Sequence, residues 1–109
     1  MKPIDPQTSL QAMHDTGPKL AKARAERCYM EEYRKSLKAL LMKASTNSSA
    51  AMQERDAYAA DTYLTHLKAL AMAVEQEETL RWRMVTAQTA VEVWRSQEAS
   101  NRAMDRGAA

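Results

Sequence analysis

The chain has 109 residues, a formal net charge of +2, 45% hydrophobic and 28% charged residues, and only two glycines, three prolines and one cysteine. That length holds one ordinary core. The shortage of turn formers and the absence of Phe disfavour sandwiches and barrels, and a lone Cys28 allows no intrachain disulfide and fits a reducing cytoplasm. Ala, Leu, Met, Glu, Gln, Lys and Arg dominate instead, and all are strong helix formers, so the expected class is all-α.

In chain order, residues 1–17 read as a flexible tail, and Met1-Lys2-Pro3-Ile4-Asp5-Pro6 has no apolar run of signal-peptide length behind it. Asp15-Thr16-Gly17-Pro18 is the first clear punctuation. Pro18 suits a first helical position, where its missing N–H costs nothing, and Asp15 or Thr16 can cap. A helix is predicted from Pro18 to about Ser45, with Met30, Tyr33, Leu37, Leu40 and Ala44 spaced 3, 4, 3 and 4 as a seam that Tyr29 and Leu41 widen.

Ser45-Thr46-Asn47-Ser48-Ser49 is the predicted reversal, because these side chains compete for backbone hydrogen bonds and can cap the next helix. Helical composition resumes at Ala50 and runs to Arg106, with Gly107 as the stop. A break near Ala60-Asp61-Thr62 divides it into helices over 50–60 and 62–106. Tyr63, Leu67, Leu70 and Val74 form one stripe; Leu80, Met84, Ala87, Val91 and Trp94 form a second, and the seam slips between them at Glu77 and Glu78.

These elements predict a long, coiled-coil-like antiparallel hairpin with a bend near residues 60–62, in one helical domain over 18–106 with a C-terminal end at 107–109. A first helix starting at Pro18 is too short to cover the whole of the last. The stripe Leu80, Met84, Ala87, Val91 and Trp94 is therefore the expected interface with further copies of the chain, as a dimer or higher homo-oligomer. Trp94 is read as core. Residues 95–106 have few large apolar groups and read as a frayed end or a segment that packs on a partner. No run approaches the length of a membrane span, so no membrane partner is expected and the chain is placed in the cytoplasm.

Raw material for catalysis is thin. His14 and His66 are far apart, the only glycines are Gly17 and Gly107, and Ser36 and Cys28 lack a base at helical spacing. No catalytic residue, metal or cofactor is expected, and Cys28 is a small packing residue. The acidic group Glu75, Glu77 and Glu78 reads mainly as a solvated face; the functional alternative is a divalent cation or an arginine patch on a partner.

Charge is uneven: residues 1–47 carry nine Lys/Arg against five Asp/Glu, and residues 48–109 seven against nine. The halves could attract one another, or leave a positive stripe for a partner. Arg34, Lys35, Lys38 and Lys43 suit phosphate contacts. Arg81-Trp82-Arg83 combines a stacking ring with two guanidinium groups, which also describes a protein hot spot.

The helix beginning Lys19-Leu20-Ala21-Lys22-Ala23, the run Tyr33-Arg34-Lys35-Ser36-Leu37-Lys38-Ala39-Leu40-Leu41-Met42-Lys43, and Val91-Glu92-Val93-Trp94-Arg95-Ser96-Gln97-Glu98-Ala99-Ser100-Asn101-Arg102 resemble small helical proteins of temperate tailed phages and prophages. Such proteins are found among early genes of DNA recombination and replication. The resemblance implies a bacterial cytoplasm and a task in phage DNA metabolism or in disarming a host defence. The leading expectation is a non-enzymatic accessory protein that binds DNA or a DNA-processing complex. The alternatives are a protein–protein inhibitor or adaptor directed at a host defence or nuclease complex, and a structural oligomerisation protein.

Overall fold

The computed structural model describes residues 3–108; Met1, Lys2 and Ala109, at the ends of the expected tail and C-terminal end, lie outside the described residues. The chain is all-α and hairpin-like: α1 is Pro6–Ala44, α2 is Ala50–Ala59 and α3 is Asp61–Ala108. No described helix is long and apolar enough to cross a membrane. Contacts divide the chain into two compact units. One is Lys22–Glu77; the other joins the α1 segment up to Ala21 with α3 from Glu78 onward.

The expected tail is corrected first. Residues 6–17 are helical, and α1 starts twelve residues ahead of Pro18. The cap is Asp5: its carboxylate accepts from the Gln7 backbone N–H at 3.0 Å and from the Thr8 hydroxyl at 2.8 Å, and Pro6 takes the first helical position. Pro18 therefore lies inside the helix. It forgoes one backbone hydrogen bond and crowds the preceding turn, a cost of roughly 3 kcal/mol in a helix interior. The neighbour before a proline normally resists helical dihedrals because of its Cβ; Gly17 has none. Packing against α3 offsets the rest, with Thr16 buried and Met84 Cε 3.7 Å from where a Gly17 Cβ would stand.

The reversal and the break fall where the sequence places them. Residues 45–49 leave the helix, Ser49 caps α2 by accepting from the Met52 N–H, and Ala60 turns extended (ψ 138°) before α3 begins at Asp61. The loop is tied to α2 through Asp56. Its Oδ2 accepts from the Ser45 hydroxyl at 2.8 Å and from the Asn47 amide, while the Gln53 side chain donates to the Asn47 carbonyl at 2.8 Å.

In the Lys22–Glu77 unit, α1 and α3 pack with α2, burying Ala23, Leu37, Tyr63 and Leu70; Ala57 is 0% exposed. The predicted α1 stripe is corrected at its end. The chain turns Leu41 inward and leaves Leu40 57% exposed and Ala44 exposed.

In the second unit the start of α1 runs against α3, burying Thr16, Leu80 and Ala87. This corrects the expected oligomer interface. Leu80 is 3% exposed within a single chain, Ala87 is also buried, and Met84, Val91 and Trp94 are half-buried. The shortfall that called for another copy is filled by residues 6–17, which are helical. Beyond Trp94 the helix continues through Gly107 to Ala108, so Gly107 is no stop, and all of residues 95–108 except Glu98 are exposed.

Candidate functional site

The two units divide between Glu77 and Glu78, where the sequence places the slip, while the seam of α3 itself runs on through Glu77. The buried positions of α3, Tyr63, Leu70, Glu77, Leu80 and Ala87, follow one another at intervals of seven, seven, three and seven residues. Glu77 occupies a seam position and is buried. Arg27 donates through Nε to Glu77 Oε2 and through Nη2 to Oε1 at 3.2 Å; Arg24 Nε reaches Oε1 at 3.2 Å; Arg27 Nη1 also holds Glu31 at 3.0 Å. Burial alone would raise a carboxyl pKa, but the Arg27 hydrogen bonds outweigh it, with help from Arg24, and Glu77 stays below the ordinary glutamate value. The acidic group is thus not a wholly solvated face: Glu77 carries the arginine contact, and its arginines come from this chain.

This pairing bears out attraction between the two halves for part of α1. Three cations of α1 are paired with acidic residues of α2 and α3, Arg24 and Arg27 with Glu77 and Lys38 with Glu54, and Arg34 and Lys35 are not. The Lys22–Glu77 unit holds nine Lys/Arg and eight Asp/Glu, close to neutral.

Of the residues predicted to meet phosphate, the structure gathers Arg34, Lys35 and Lys38 around one recess of about 330 Å³, which Tyr58 and Tyr63 complete. Lys38 Nζ lies 3.2 Å from Glu54 and 4.8 Å from the Tyr58 ring centroid. Tyr58 first and Glu54 second raise its pKa above the ordinary lysine value. Lys35 pairs with Glu32 at 3.3 Å, both side chains well exposed, and such a pair is worth only about 0–1 kcal/mol and exchanges readily. Arg34 is exposed with no ion pair among the described residues. Lys43 stands apart, in the last turn of α1, where a cation complements the helix dipole.

The second predicted group belongs to the other unit. Arg81 Nε and Nη2 bind Glu78 Oε2 at 3.1 and 2.9 Å, and its guanidinium lies 4.7 Å from the Trp82 ring centroid. Trp82 is 57% exposed. With Arg83 it borders a groove of about 670 Å³ between α1 and α3, lined by small residues such as Ala12, Thr16, Ala87 and Ala90.

Three features escaped the sequence reading. Tyr58 was not singled out, although Lys38 and Tyr58 lie ten residues to either side of Ser48 and a reversal there brings them level. Tyr29 and Tyr33, read as seam, form an exposed stack with centroids 6.0 Å apart. His66 adds a ring 5.5 Å from Tyr33, and its Nε2 donates to the Met30 carbonyl at 2.8 Å. The chain matches no protein-family model, no curated protein and no solved structure.

Proposed function

We propose that the protein is a non-enzymatic nucleic-acid-binding accessory protein, acting in a bacterial cytoplasm on DNA or a DNA-processing complex. The observation that carries this reading is the gathering of Arg34, Lys35 and Lys38 with the half-exposed Tyr58 at one recess. Arg34 offers a guanidinium to a phosphate, Lys35 exchanges its weak surface pair for one, and Tyr58 supplies a stacking face beside them. The near-neutral charge of the unit limits the electrostatic part to this cluster. Two phosphate contacts to a single strand correspond to a salt slope of about −1.4 in log K against log salt. The resemblance to temperate-phage proteins supports the place of action.

The test is fluorescence anisotropy of labelled single- and double-stranded oligonucleotides at two salt concentrations, with the natural chain and with Arg34→Glu/Lys35→Glu. The expected outcome is salt-dependent binding that the double variant weakens and flattens. Equal binding by the variant, or none by either protein at low salt, refutes the reading. The adaptor reading has one observation in its favour, the exposed Tyr29 and Tyr33 with Leu40 on α1. A stoichiometric protein partner that survives nuclease treatment and is lost with Tyr29→Ala/Tyr33→Ala would support it.

A further inference from the structure

The groove between the start of α1 and α3 is independent of the Arg34 cluster. Its floor is Ala12, Thr16, Ala87 and Ala90, and Trp82 stands 57% exposed at its edge. A patch that pairs with its own copy must carry both the projection and the recess that receives it. This face has both, since Trp82 projects beside a floor of small side chains that lets another helix approach closely.

Charge adds a register. Gly17 and Met84 meet across the two helices, so Asp15 and Arg83 lie within about one turn of the same level. Asp15 sits on the α1 edge beside Thr8 and Ala12, accepting only from the Gln11 amide at 2.9 Å; Arg83 lines the α3 side. Neither has an ion pair among the described residues. A two-fold axis running along the groove lays the α1 edge of each copy on the α3 edge of the other and leaves levels along the helices unchanged. Asp15 of each copy then faces Arg83 of the other, and the contact occurs twice.

We propose that this groove is closed by a second copy of the chain, giving a two-fold dimer in which four helices pack together and Asp15 pairs with Arg83 across the interface. The face shares only Ala87 with the Leu80, Met84, Ala87, Val91 and Trp94 stripe.

Sedimentation velocity on the full chain over a range of concentrations tests it. The natural protein should dimerise. Ala90→Glu, a good helix former placed on the groove floor, should leave a monomer with unchanged helical circular dichroism. Asp15→Arg or Arg83→Asp alone should raise the dimer dissociation constant about tenfold or more, because like charges then meet twice. The double exchange Asp15→Arg/Arg83→Asp should restore dimerisation. A natural protein that stays monomeric at all concentrations, or a dimer indifferent to Ala90→Glu and to the single charge reversals, overturns the proposal. If Ala90→Glu loses helicity, the restoration by the double exchange decides the matter, and its failure counts against the dimer.

Discussion

In the Lys22–Glu77 unit, α2 adds a third helix to the α1 and α3 segments, Ala57 reaches zero exposure, and Asp56 ties the loop to the helix. In the other unit the α1 and α3 segments meet alone, Thr16 stands among the buried residues, and a groove opens beside Ala12 and Ala90. The two units are made from the same two helices. The difference teaches that a regular seam alone does not make a closed core: the first unit has a third helix and a buried carboxylate held by two arginines, and the second has neither. The first can hold a ligand on its finished surface, whereas the second offers unfinished surface.

The largest effect is expected where packing is complete. Leu37→Ala and Leu80→Ala, each at a buried seam position of its unit, should each cost about 2–5 kcal/mol in denaturant unfolding. A loss below about 1 kcal/mol at either would contradict its place in a packed seam. Glu77→Leu comes next, since it leaves Arg27 and Arg24 at the seam without their carboxylate. Converting Arg27→Met as well should recover most of the loss, as replacing a whole buried pair often does. The same pair gives a pH dependence of known sign. Glu77 has its pKa lowered by folding, so its contribution is full above the ordinary glutamate range and is lost as pH falls through the lowered value. Stability of the natural chain should therefore drop on acidification more than that of Arg27→Met/Glu77→Leu.

Smaller effects belong to the loop, the proline and the surface. Asp56→Ala removes the acceptor of two loop hydrogen bonds and should cost about 2 kcal/mol. Pro18→Ala should stabilise the second unit by about 2 kcal/mol: the roughly 3 kcal/mol helix-interior cost disappears, less about 1 kcal/mol for the added freedom of the unfolded chain. Lys35→Glu should change stability by no more than about 0.5 kcal/mol, so its effect on oligonucleotide binding reads the surface alone.

The all-α class, the turn at 45–49 and the break before Asp61 were legible because each depends on local chemistry, namely composition, capping side chains and an Asp-Thr pair. The start of α1 was not. A proline inside a helix is locally unfavourable, and only contacts of Thr16 and Gly17 with a helix some sixty residues away make it tolerable. Glu77 was missed for a related reason. A buried carboxylate looks like an interruption until the two arginines that compensate it are known to be level with it. Of the candidate site, the grouping of Arg34, Lys35 and Lys38 was visible in helical spacing, but Tyr58 and Glu54 come from across the turn. The oligomer stripe failed because it rested on the wrong helix start.

Hydrogen exchange measured residue by residue at a low and a high protein concentration tests the central comparison most directly. The account predicts that amides around Leu37, Ala57 and Leu70 are the best protected and indifferent to concentration. Those of residues 8–16 and 79–90 should exchange faster in dilute solution and gain protection as concentration rises. Protection that is equal in the two units and unchanged by concentration would contradict it.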